Sequence, residues 1–180
     1  MSVIPPYLQR GYITPDELFS IIPKPSEERL RKRPVAVPEC PQEIPCAPCR
    51  EICPTEAISM PTPNDLPMVD YEKCIGCSLC VQICPGLAFF MVHYVGDKAK
   101  ITMPHELLPL PERGEEVVLL NRVGEPVGKG KVLTVVPREK SRGDTPIIVV
   151  EVPIEMAWDV RAVKVGRREQ HGREKDSLSL

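Results

Sequence analysis

Eight cysteines fall between positions 40 and 84, and the rest of the 180-residue chain has none. They form two runs, Cys40-x5-Cys46-x2-Cys49-x3-Cys53-Pro54 and Cys74-x2-Cys77-x2-Cys80-x3-Cys84-Pro85. Thiols this dense leave three chemistries open: disulfides, zinc, or iron–sulfur clusters. The opening MSVIPPYLQRGYITPDEL lacks a basic start followed by an apolar run, so it does not read as a secretory leader. No segment is long and apolar enough to span a membrane. A cytoplasmic setting is expected, where thiols stay reduced. Zinc sites use separated CxxC pairs, whereas these runs interleave x2 and x3 spacings. Iron–sulfur ligation is the reading that remains.

The spacing has a geometric logic. Three thiolates on a tight loop can wrap one cuboidal cluster. The x3 step puts the fourth cysteine about one helical turn further on, aimed away from that cluster and toward a second one. One cluster is therefore expected on Cys40, Cys46, Cys49 and Cys84, and the other on Cys74, Cys77, Cys80 and Cys53. Gly76 would let the loop backbone approach the inorganic sulfur. The long gap after Cys40 leaves an alternative, a [3Fe–4S] cluster with Cys40 idle beside one [4Fe–4S] cluster. Eight thiols for two four-iron clusters favour Cys40 as a ligand.

The two runs belong to a longer repeat. CAPCREICPTEAISM and CSLCVQICPGLAFFM align, with Ala57 matching Ala88 and Ile58 matching Phe89. Apolar pieces at 35–37 and 67–69 precede the halves. Each half reads as strand, cysteine loop, helical turn ended by proline, and strand, an arrangement that packs about a pseudo-twofold axis.

The flanks differ. Residues 1–36 read as an extended Pro-rich arm, with a short helix at 15–22 capped by Thr14 and Glu17. The arm is either a flexible terminus or a strap that orders on a partner. Its basic run Arg29–Arg33 reads as a solvated face. Residues 37–95 hold the cysteines and 96–114 read as a linker. Over 115–165, β-branched runs separated by turn signals predict a small antiparallel β-barrel-like domain. Residues 166–180 read as a charged, disordered tail. The fold class is α+β. Aromatic residues are only 4% of the chain, so a hydrophobic core alone is a thin support for the cysteine region.

MVDYEKCIGCSLCVQICPGLAFF resembles the second half of a dicluster bacterial ferredoxin, and the likeness extends over about residues 35–95. It implies a ferredoxin-like domain and low-potential one-electron transfer through two [4Fe–4S] clusters. VPECPQEIPCAPCREICPTEAI, with the strand-rich C-terminal piece, is similar to small subunits of multisubunit flavin-dependent amine or imino-acid dehydrogenases of the proline or hydroxyproline kind. That resemblance implies flavoprotein dehydrogenase partners, with or without a [2Fe–2S] protein, in a hetero-oligomer. A free-standing electron carrier and a structural or redox-sensing Fe–S module are the competing functions.

Other residues carry less. His93, His105 and His171 share no metal spacing with another His or Cys. Trp158 and Tyr94 read as core or interface residues. Gly124, Gly128 and Gly130 read as hairpin turns rather than a phosphate loop. No catalytic triad, carboxylate pair or nucleotide motif stands out, so no active site is expected. A net charge of −2 gives no reason to expect nucleic-acid binding.

Overall fold

A computed structural model describes residues 4–166. His171 and all but the first residue of the predicted tail lie outside the described residues.

The arm is folded. Helices α1 (Pro6–Arg10), α2 (Pro15–Ile21) and α3 (Glu27–Lys32) follow one another. The capping box at α2 forms as its sequence predicts: the Glu17 N–H donates to Thr14 Oγ1 at 3.3 Å, and the Thr14 N–H donates to Glu17 Oε2 at 2.9 Å. Ser26 caps α3 in the same way, accepting from the Arg29 N–H at 3.2 Å. The extended arm is thus corrected to three short helices. The prolines bound these helices instead of breaking them. Leu18, Ile22 and Leu30 are buried and join the main core. Such short helices are marginal alone, and their packing stabilises them.

The cysteine region follows the repeat. Strand β1 (Val35–Pro38) leads to helix α4 (Pro48–Glu51) and strand β2 (Ile58–Ser59). Strand β3 (Met68–Val69) leads to helix α5 (Leu79–Ile83) and strand β4 (Phe89–Val95). β1 pairs antiparallel with β4, Val37 opposite Phe90, and β2 pairs antiparallel with β3, Ile58 opposite Val69. The leading strand of each half therefore lies against the trailing strand of the other.

Strands β5 (Lys98–Pro104), β6 (Glu116–Leu120), β7 (Pro126–Val136), β8 (Ile147–Pro153) and β9 (Ala162–Lys164) complete the architecture. They do not close into a separate barrel. They extend the β1–β4 pair into one open seven-stranded sheet of order β1-β4-β5-β8-β7-β6-β9. The predicted linker is corrected for the same reason. Residues 98–104 form β5, which pairs with both β4 and β8. β4 and β5 meet across Gly96–Asp97, with Val95 opposite Lys98, a two-residue hairpin connection.

Gly124 occupies the β6–β7 turn with φ 88°. Gly128 and Gly130 lie inside β7 rather than in turns. A Cβ on Gly130 would stand 2.7 Å from Leu119 and from the Glu151 carbonyl, so the missing side chain permits close strand packing.

Apolar burial forms two clusters. One runs from Ile13 and Leu18 through the sheet to Val163. The other lies under the cysteines and includes Ala57, Ile58, Val81, Phe89 and Met91.

Candidate metal centre

The eight cysteines are all free and divide between two cavities. Cys40, Cys46, Cys49 and Cys84 line one of about 350 Å³, with Ile44, Met60 and Phe89. Cys53, Cys74, Cys77 and Cys80 line the other, of about 330 Å³, with Ala36, Ile58 and Met91. Each cavity takes three cysteines from its own half and one from the other half. The cysteines expected to share a cluster thus line the same cavity.

Local structure explains the crossing. Cys49 sits on α4 and Cys80 on α5, and the two helices pack together. Cys53 and Cys84 come just after these helical turns, about one turn beyond Cys49 and Cys80. The Ala57 N–H donates to Cys53 Sγ at 3.3 Å, and the Ala88 N–H donates to Cys84 Sγ at 3.3 Å. The preceding residues, Glu56 and Leu87, hold φ of 50° and 53°. Non-glycine residues rarely adopt that region. Its appearance at equivalent positions of both halves marks a demanded backbone, one that turns the next amide onto sulfur. Gly76 has φ 79°, and a Cβ there would stand 2.9 Å from the Pro34 carbonyl oxygen. Glycine at 76 thus serves the approach of the cysteine loop to the end of the arm.

Three of the thiols, Cys40, Cys49 and Cys80, resist ionisation. Burial pushes Cys49 up to about 11, and Cys84, Cys40 and Cys46 add to the rise. Burial also raises Cys40, with Cys84 and Cys46 contributing. Cys80 is raised by burial, then by Cys74 and Cys77. Cys53 differs. Burial raises it, but donors from Thr55, Ala57 and Ile58 outweigh that and bring it below the ordinary thiol value. Four thiolates in one buried space repel each other unless a cationic guest joins them. Among the described residues, no group of three or more His, Cys, Asp or Glu closes on the position of a single metal ion. The donor set suits a polynuclear iron–sulfur guest, with the sulfurs spread around a space.

Several supporting residues are not evident in the sequence. Arg29, in the run read as a solvated face, is only 3% exposed. It donates to the carbonyls of Tyr71 at 2.6 Å, Arg33 at 3.0 Å and Cys74 at 2.7 Å. The Tyr71 hydroxyl donates to the Pro23 carbonyl at 2.6 Å, a second tie between arm and cysteine loop. Glu39, just before Cys40, accepts from Arg122 Nε at 3.0 Å and from Arg161 Nε at 2.6 Å. Buried Gln82, between Cys80 and Cys84, accepts from the Arg142 N–H at 2.9 Å. Burial of Arg29 and Gln82 on short helices is the kind of signal that only tertiary packing reveals.

The remaining candidates stay apart from the cysteines' cavities. His93 lies on β4, and His105 is buried just after β5. Trp158 packs edge-on against Phe19 with ring centroids 4.9 Å apart, as a core or interface residue would.

Residues 67–90 match the 4Fe–4S binding domain family. That segment is a 4Fe–4S binding domain, and the chemistry such a domain supports is one-electron transfer. Over 80 residues it is 36% identical to an uncharacterized ferredoxin of Methanocaldococcus jannaschii, covering 43% of this chain and 49% of that protein. It is 40% identical over 52 residues to the polyferredoxin-like subunit of an aliphatic sulfonate oxidoreductase of Pyrococcus furiosus, covering 29% of this chain and 30% of that protein. A selenate reductase subunit of Mesobacillus selenatarsenatis is 30% identical over 86 residues, covering 47% of this chain and 29% of that protein. The chain thus spans about half or less of these curated relatives. No solved structure matches it. Among the described residues, no helix is long and apolar enough to cross a membrane.

Proposed function

We propose that the chain holds two [4Fe–4S] clusters and works as the electron-transfer subunit of a larger oxidoreductase. Cys40, Cys46, Cys49 and Cys84 would hold one cluster, and Cys53, Cys74, Cys77 and Cys80 the other. The observation that carries this is the four-and-four division of thiols between two cavities. When bound, such clusters supply one-electron uptake and release. The cysteine halves ligate, while the helical arm and the C-terminal strands brace them.

The chain's own residues do the rest. Apolar side chains such as Phe89 and Met91 shield the sulfurs from water. The Ala57 and Ala88 amides stabilise negative charge on Cys53 and Cys84. Ile44 and Ile75 line different cavities and are each 47% exposed. They offer a contact point for a redox partner at each site. The partners we infer are flavoprotein dehydrogenase subunits, with or without a [2Fe–2S] protein, in a cytoplasmic hetero-oligomer. The subunit names of the relatives support a complex. A two-electron flavin has use for a partner that accepts electrons singly.

Anaerobically prepared protein is expected to hold about eight iron and eight sulfide per chain and to show two interacting paramagnets on reduction. Material with zinc, or with about four iron, would sink the two-cluster reading. A [3Fe–4S] signal in oxidised wild-type protein would favour an idle Cys40. A free-standing carrier would co-purify with nothing. A sensing module would show partner affinity that changes on reduction.

A further inference from the structure

We propose that Arg29 and the Glu39–Arg122–Arg161 network are positioning residues that set the reduction potentials of the two clusters, one device for each. This rests on the two-cluster reading above.

Cys40 and Cys74 are the first cysteines of the two motifs, and each is backed by buried positive charge from outside the cysteine repeat. Behind Cys74 stands Arg29 of α3, donating to the Cys74 carbonyl at 2.7 Å. Its nearest carboxylate, Glu72, is 4.0 Å away on a side chain 74% exposed, so solvent screens most of its influence. Behind Cys40 stands Glu39. Its side chain is 7% exposed, and those of Arg122 and Arg161 are 8% and 4% exposed. Arg122 comes from the β6–β7 turn, and Arg161 directly precedes β9. Two guanidiniums share one buried carboxylate, and the other carboxylate acting on Arg161, that of Asp159, is exposed to solvent, so the buried charges next to Cys40 sum to one positive. Arg161 Nη1 donates to the Ala157 and Val160 carbonyls, and its guanidinium lies 4.9 Å from the Phe90 ring centroid. Arg161 Nη2 meets no acceptor among the described residues.

A buried cation short of partners is costly unless negative charge lies nearby. Four thiolates around an iron–sulfur core provide that charge. Adding one electron makes the core more negative, and a cation in a poorly screened interior favours the reduced form. The arm thus acts at Cys74 and the C-terminal sheet beside Cys40, each on one motif. The sign of the effect separates this role from mere bracing. Loss of Arg161 charge should lower one potential, while loss of Glu39 charge should raise the same one.

The test is an EPR-monitored titration of the full-length holoprotein, with iron counted on every sample. Dithionite is the electron donor, and the only change is one electron gained per cluster, with no bond made or broken. Arg29→Met should lower the midpoint of one cluster alone. Arg161→Met should lower the other alone, and Arg161→Lys should restore it. Glu39→Gln, nearly isosteric, should raise the midpoint that Arg161→Met lowers. It decides the matter if the arginine variants do not fold. Unchanged midpoints at full iron content, shifts of equal size in both clusters, or a fall on Glu39→Gln would overturn the proposal. Wild-type protein short of about eight iron would instead fail the two-cluster reading itself.

Discussion

The cysteine region and the seven-stranded sheet hold themselves together by different means. The sheet buries Ile101, Leu119, Ile148 and Val150 at 0% exposure, in a cluster that contains no cysteine. The cysteine region has two short helices, a two-strand pair and a smaller apolar cluster in which four of the motifs' own residues, Cys49, Cys74, Cys80 and Cys84, are part of the filling. Where the sheet relies on hydrophobic contact, the cysteine region gives its buried positions to thiols. In the proposed function, metal ligation there takes the place of side-chain packing.

The contrast breaks most sharply on iron removal. Anaerobic chelation should abolish hydrogen-exchange protection in 40–84 while protection in β5–β8 persists. Simultaneous loss in both regions would show that they form one cooperative unit. Ile148→Ala should destabilise the sheet by about 2–5 kcal/mol, with or without iron, in denaturant titrations. A smaller effect is expected at the seam. A Cβ on Gly143 would stand 2.3 Å from the Gln82 carbonyl oxygen, so Gly143→Ala must push the 138–145 loop off α5. We expect a loss of about 1–3 kcal/mol, together with faster iron release in a chelator assay. Iron release at the wild-type rate would show that the loop does not brace the cysteine helix. Smallest is Thr14→Ala, which removes the α2 cap and should cost about 1 kcal/mol. It should fray the arm, read by exchange at Glu17, without altering the iron count.

Legibility in the sequence divides along the same line. Ligation chemistry constrains the spacing of cysteines, so the helical turns before Pro54 and Pro85 can be read directly. β6, β8 and β9 announce themselves as β-branched runs. β5 hides because lysines alternate with its buried residues, although Gly96–Asp97 marks the hairpin that leads into it. The arm misleads because its prolines look like breakers, so α2, with Thr14 and Glu17 at its start, is legible while α1 and α3 are not. The Glu39 network is beyond reach: Glu39 lies 83 residues from Arg122 and 122 from Arg161. Only the folded sheet brings them together.

Strand β4 belongs to both regions at once, pairing with β1 on one side and β5 on the other. A fragment cut at residue 96 would therefore strip the amides and carbonyls along one flank of β4 of their partners. Bare strand flanks recruit other chains. The excised cysteine unit would tend to stack copy upon copy, so the C-terminal strands also act as a built-in guard against self-association.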